Sequence, residues 1–124
     1  MMTNVLLEAQ SLVARPDGLA IGLRLPWYRS LPLSVIQLDG LRIDGSDIPG
    51  EKLRFELNGK LRPLAEMADL TGEYWFVQDS LVLVADQAVA AGGEHEVDVT
   101  LSFYPPYIAD FRRKSRGIAR MKAN

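Results

Sequence analysis

The chain contains one histidine, His95, and no cysteine, so any chemistry of its own must come from that imidazole, its carboxylates and its hydroxyls. The missing thiols exclude disulfides, cysteine nucleophiles and thiolate metal sites together. A metal site would need the imidazole plus carboxylates, yet Glu94 and Glu96 have the opposite strand parity to His95 and point away from it. A Ser-His-Asp triad could draw on Ser11, Ser30, Ser34, Ser46, Ser80, Ser102 or Ser115, but none of them sits in a nucleophile-elbow context. Asp44 and Asp47 flank Gly45, where Asp-Gly reads more simply as a turn, and Glu94, Glu96 and Asp98 read as the solvated face of a strand. A glycosidase carboxylate pair would have to come from distant parts of the fold. Gly92-Gly93-Glu94 precedes a strand and lacks the lysine of a phosphate-binding loop. His95 shares parity with Val97, Val99, Leu101 and Phe103, so it is expected to point inward as a hydrogen-bonded structural residue. No catalytic residue and no metal ligand is assigned.

Two aromatic clusters remain. Trp27, Tyr28 and Arg29 stand between prolines in the run Leu25–Ser34, Leu-Pro-Trp-Tyr-Arg-Ser-Leu-Pro-Leu-Ser, directly after a strand-like stretch. Proline fixes φ, so this is a stiff, aromatic, cationic loop held at the end of a sheet. Phe103, Tyr104, Tyr107 and Phe111 surround Pro105-Pro106 in the second cluster. Phe103 continues a strand alternation and reads as core. Trp, Tyr and Arg are enriched at binding hot spots because each covers much area with few torsions or supplies a planar fork of donors. Trp27, Tyr28 and Tyr107 stand beside prolines outside the strand alternation and read equally as packing at a stiff chain exit or as an interface or ligand surface; with Arg29, Tyr104 and Phe111 they are assigned to a partner interface.

The elements that would position these residues are strands. Leu19, Ile21, Leu23 and Leu25 alternate with Ala20, Gly22 and Arg24; Leu53, Phe55 and Leu57 with Arg54 and Glu56; Val97, Val99, Leu101 and Phe103 with Glu96, Asp98, Thr100 and Ser102. Each reads as a half-buried strand with one solvated face. Further strands are expected near Val5–Leu7, Val35–Leu38, Leu41–Ile43, Glu73–Val77 and Leu81–Val84, the last apolar on both faces and so central. Pro16-Asp17-Gly18, Asp39-Gly40, Asp44-Gly45, Pro49-Gly50, Asn58-Gly59 and Gly92-Gly93 mark turns, and Asn58-Gly59 is the strongest hairpin signal. Pro63 followed by Leu64, Met67 and Ala68 predicts one short helix. The fold class is all-β, an antiparallel β-sandwich of about eight short strands with that single helix.

Composition bounds what such a sandwich could do. With 124 residues it is one domain with a single core. Residues 1–111 hold 8 Lys and Arg against 16 Asp and Glu, whereas residues 112–124 hold six basic residues and no acid. The chain is accordingly divided into a sandwich domain, 1–111, and a basic C-terminal tail, 112–124, either solvated or docked on an acidic surface of a partner or of its own body. An acidic body is not a nucleic-acid footprint, which needs basic charge spread over a folded face. No run approaches the ~20 apolar residues of a membrane span. The start Met-Met-Thr-Asn-Val-Leu-Leu-Glu lacks a basic n-region, so no signal peptide is expected, and a soluble, cytoplasmic protein is.

Four segments carry a resemblance to a known family. They are Leu25–Ser34, Leu53–Met67 with its Arg-Phe-Glu-Leu-Asn-Gly-Lys hairpin, Glu-Tyr-Trp-Phe at Glu73–Phe76, and Gly-Gly-Glu-His-Glu-Val at Gly92–Val97. In order and spacing the chain resembles the small β subunit of bacterial C-glycoside deglycosidases over most of Leu19–Ile108. The resemblance implies a β-sandwich without chemistry of its own, associated with a larger α subunit of isomerase-like TIM-barrel fold that holds a divalent metal, expected to be manganese. No cofactor is implied in this chain. Such a complex cleaves the bond between sugar carbon and aromatic aglycone in a 3-keto C-glycoside. The ketone acidifies the adjacent C–H, so a base can form an enolate and expel the aglycone while a metal stabilises the oxyanion. The stretch after Phe111 lies beyond the matching part. A stand-alone carbohydrate-binding module is the alternative reading, and an independent carboxylate hydrolase a third.

Overall fold

Asn58 and Gly59 have φ of 55° and 77°, and Asp44 and Gly45 have 53° and 84°. Positive φ at both central residues is the type I′ turn whose twist matches the strands it joins, and each dipeptide closes a two-residue hairpin, Leu57 opposite Lys60 and Ile43 opposite Ser46. Both turns follow the sequence reading. The computed structural model in which they occur describes residues 6–16 and 18–124. The Pro16-Asp17-Gly18 turn and the expected strand Val5–Leu7 therefore lie partly outside the described residues, although Leu7 does bridge to Leu23.

The strands in chain order are β1 (Val13–Arg15), β2 (Gly18–Arg24), β3 (Leu31–Pro32), β4 (Ile36–Ile43), β5 (Ser46–Asp47) and β6 (Leu53–Leu57). They are followed by β7 (Lys60–Pro63), β8 (Tyr74–Trp75), β9 (Ser80–Ala85), β10 (Glu94–Phe103) and β11 (Arg113–Lys122). One sheet has the order β1-β2-β9-β6-β7, the second β11-β10-β4-β5, and β3 with β8 makes a two-stranded ribbon. All the pairings are antiparallel. The fold is an all-β sandwich, as expected, with β9 central in its sheet. The proline-led helix is a 3-10 helix, Leu64–Asp69, that buries Met67.

Register puts the apolar positions of each sheet on one face. Ile21 stands opposite Leu83 and Leu83 opposite Phe55 in the first sheet; Val97 stands opposite Ile43 and Val99 opposite Leu41 in the second. These side chains meet in a single core whose largest fully buried members are Trp75, Phe55 and Phe103. One strand departs from the expected alternation. Ala20 and Gly22 of β2 are buried, and a Cβ on Gly22 would lie 2.2 Å from Glu8 Oε1. The preceding segment covers this face: Gly22 N–H donates to Ser11 Oγ at 3.0 Å, and Glu8 N–H donates to the Gly22 carbonyl at 3.0 Å.

Asp39-Gly40 is not a turn. Strand β4 runs through it, with Gly40 opposite Thr100 and Leu38 opposite Leu101, so Asp39 is the extra residue of a β-bulge. Its carboxylate accepts a hydrogen bond from the buried Ser102 hydroxyl, and the continuous ladder to β10 outweighs the local turn preference of the dipeptide.

The division at residue 111 is corrected as well. Residues 113–122 are a strand whose ten residues all pair with β10, from Phe103 opposite Arg113 to Glu94 opposite Lys122. Every second residue of β11 shares the face of Val97, Val99 and Leu101, and Gly117 and Met121 are buried there. On the other face Arg116 grips Asp98 through two bonds of 2.9 and 2.7 Å, and Arg120 lies 3.2 Å from Glu94. Of the alternatives for this basic stretch, docking on the chain's own acidic surface is the one realised. The sequence count of charge concealed an apolar alternation built from small residues, Gly117 and Ala119, which carry little hydrophobic signal.

Two stability outcomes follow from β11. Met121→Ala removes a fully packed side chain and is expected to cost about 2–5 kcal/mol in urea unfolding. Deleting residues 113–124 strips β10 of a ladder partner along its whole length, and the truncated chain is expected to lose its cooperative thermal transition; a sharp transition within a few degrees of the full chain would contradict the structural role of β11.

Candidate interaction surface

The connection from β2 to β3, residues 25–30, and the connection from β10 to β11, residues 104–112, lie at the same end of the sandwich. Trp27 Nε1 donates to the Tyr107 hydroxyl at 2.7 Å and ties the two together across 80 residues of sequence. The Trp27 ring stands edge-on to the buried Phe103 at 5.4 Å, with Tyr28 at 4.8 Å and Phe111 at 5.8 Å. Trp27 is thus half-buried and works as a bracket between core and surface. Tyr28 is the outermost side chain, 69% exposed, and Tyr107 is 47% exposed.

Cations cover the rings. Arg29 lies over Tyr107 at 4.9 Å, Arg112 over Tyr104 at 5.5 Å and Arg113 over Trp27 at 5.9 Å. The structure therefore brings Trp27, Tyr28, Arg29, Tyr107 and Phe111 into one cluster. Tyr104 stands to one side, under Arg112, on the rim of a cleft of about 430 Å³ between Val35–Leu38 and the Leu64–Ala68 turn. On sequence grounds Arg112 and Arg113 belong to the basic tail, because their role depends on the chain turning back at Phe111. A second exposed aromatic pair, Tyr74 and Phe76 with ring centroids 6.3 Å apart, flanks the buried Trp75. Alternation about Trp75 is the signal that could have found it. Ser30 Oγ accepts a hydrogen bond from Val77 N–H at 3.2 Å, which joins this pair to the Trp27 loop.

His95 lies elsewhere, at the start of β10. Its Nδ1 is 2.8 Å from Asp44 Oδ2, its Nε2 is 3.4 Å from the Ala90 carbonyl, and Glu96 N–H donates to Asp44 Oδ1 at 2.8 Å. A backbone carbonyl thus occupies the position a triad serine would need, and the histidine clamps the Asp44-Gly45 turn to the loop before β10. Among the described residues no three His, Asp or Glu side chains converge as a metal site would require.

The similarity of the chain to known proteins is now decisive. The family model for the C-glycoside deglycosidase beta subunit matches residues 4–107. The chain belongs to the C-glycoside deglycosidase beta subunit family. It is 47% identical over 96 residues to a C-glycoside deglycosidase beta subunit of Microbacterium trichothecenolyticum, covering 76% of this chain and 73% of that one. It is 39% identical over 109 residues to a C-glycoside deglycosidase beta subunit of Arthrobacter globiformis, covering 87% and 83%. A 3'-dehydrocarminate deglycosidase beta subunit of a Microbacterium species is 38% identical over 108 residues, covering 87% and 82%. The family match ends at Tyr107, so it takes in Trp27, Tyr28, Arg29 and Tyr104 but not Phe111 or the strand β11.

The His95 clamp gives a pH signature. The bond to Asp44 raises the pKa of His95 from its ordinary 6.5, and the bond to His95 lowers that of Asp44 from 3.8. Stabilisation linked to His95 is complete below 6.5 and fades as pH rises through the raised folded value; that linked to Asp44 is complete above 3.8 and fades as pH falls through the lowered one. The difference in thermal midpoint between the wild-type chain and Asp44→Asn should therefore peak between those limits and shrink toward both ends of a scan from about pH 3 to 9. A difference that is flat across the scan would mean that the pair does not couple.

Proposed function

We propose that this chain is the small, non-catalytic subunit of a heteromeric C-glycoside deglycosidase. The name of the family it belongs to, a beta subunit, implies a partner chain. The observation that carries the reading is the Trp27–Tyr107 cluster: an aromatic, cationic surface with a rigid base and an exposed tip, on a chain whose one histidine is engaged in a structural clamp. Rigid Tyr and Trp side chains backed by Arg are what a hot spot requires.

The partner in this reading is an α subunit of isomerase-like TIM-barrel fold. The complex cleaves the carbon–carbon bond of a 3-keto C-glycoside by elimination, with no nucleic acid or membrane involved and in the cytoplasm. The name of one relative, a 3'-dehydrocarminate deglycosidase beta subunit, supports a keto sugar as the substrate. In this reading the divalent metal, manganese, is held by the partner together with the base that takes the proton, in keeping with the lack of a three-ligand His, Asp or Glu group among the described residues. Trp27 is the ring best suited to stacking on a sugar, and it lies half-buried between Tyr28, Phe103 and Phe111, which favours a subunit over a stand-alone carbohydrate-binding module.

Co-expression with the isomerase-like chain, followed by size-exclusion chromatography and an assay on a 3-keto C-glycoside, tests the assignment. Co-elution with activity confined to the complex is expected; turnover by this chain alone would overturn it. The two aromatic residues of the loop should separate. Tyr28→Ala is expected to weaken assembly by about 2 kcal/mol or more with the isolated fold intact, whereas Trp27→Ala, which also loses its contact with Phe103, should lower the thermal midpoint of the isolated chain. Calorimetric titration and thermal unfolding read the two effects independently.

A further inference from the structure

Arg29, Arg112 and Arg113 differ from the other arginines. Among the described residues, each of the others reaches an Asp or Glu oxygen at 2.6–3.7 Å. These three instead lie over aromatic rings at one end of the sandwich, at 4.9, 5.5 and 5.9 Å from the centroids of Tyr107, Tyr104 and Trp27. The chain carries 16 Asp and Glu against 14 Lys and Arg, and Asp110 stands in the same connection, so the lack of an ion pair at these three among the described residues is a local arrangement and not a shortage. A guanidinium held over a ring face by cation–π attraction keeps N–H donors that the ring does not use up. Those donors form a fork suited to a planar carboxylate. The rings also hold the guanidinium groups in place before any partner arrives, which reduces the ordering cost of binding.

We infer that Arg29, Arg112 and Arg113 receive an acidic patch of the partner subunit, its Asp and Glu side chains bridging to the three guanidinium groups beside the exposed Tyr104 and Tyr107. The inference rests on the reading that this aromatic surface meets the partner, and it adds the chemistry of the opposing face. Arg112 and Arg113 lie just past the end of the family match at Tyr107, so this part of the contact belongs to residues that the match does not include. Charges at the margin of an interface act mainly on encounter, and their effect falls as salt shortens the Debye length.

The test uses the full chain and its separately purified isomerase-like partner, with association rates measured at about 0.05 M and about 0.5 M salt. Three variants are compared: the triple Arg29→Gln, Arg112→Gln, Arg113→Gln chain; Tyr28→Ala; and Arg42→Gln, which removes a cation paired with Asp47 on the outer face of the second sheet. The triple variant is expected to associate about tenfold more slowly at low salt and to lose most of the salt dependence, with Arg42→Gln close to wild type. If Tyr28→Ala weakens the complex while the triple variant keeps wild-type rates at both salts, the acidic patch is wrong and the interface reading stands. If neither affects assembly, the interface reading falls and the inference with it. A titration of this chain alone with benzoate covers a small anion as the occupant: saturable binding abolished in the triple variant, with assembly unchanged, would overturn the protein partner. Should the triple variant fail to fold, the single Arg→Gln chains carry the same comparison.

Discussion

The ladder between β10 and β11 dictates where the aromatic surface can form, because a chain that leaves β10 at Phe103 must re-enter the sheet at Arg113, its register partner. Residues 104–112 are thereby confined to a tight excursion at one end of the sandwich, above Phe103. The Trp27 loop, at the end of β2 in the opposite sheet, is brought to the same place, and the Trp27–Tyr107 hydrogen bond joins the two. Nothing local in either segment would hold those rings together. The register of two long strands does.

The same ladder explains how charge is distributed. The outer face of β10 is acidic and that of β11 basic, so Asp98 and Glu94 are met diagonally by Arg116 and Arg120 across the sheet. Exposed pairs of this kind contribute little each. Their larger effect is on register, since a slip of one residue would turn the basic side chains of β11 toward Val97, Val99 and Leu101. At the start of the ladder the charge pairs give way to aromatic contacts, and the arginines there, Arg112 and Arg113, lie over rings instead.

The two ends of β10 do different physical work. At its beginning, His95, Asp44 and the Ala90 carbonyl satisfy one another and close a turn. At its end, Phe103 supports an exposed aromatic surface whose rings lie under Arg29, Arg112 and Arg113. Polar groups that could have formed a reactive site are engaged in structure, whereas groups suited to binding are left outward.

By itself the sequence determined the strand alternation, the turns at Asn58-Gly59 and Asp44-Gly45 and the centrality of Leu81–Val84. Each of these follows from a local physical cause: side-chain period or backbone freedom at a turn. Only the tertiary structure decided that Asp39-Gly40 is a bulge within β4, that the basic C-terminal stretch is a strand, and that Arg113 belongs with Trp27. In each case a long-range ladder outweighed the local preference: β10 offers Asp39 a buried hydroxyl at Ser102 and offers Arg113–Lys122 a full set of backbone partners. Such partners lie tens of residues away, and no window along the chain contains them.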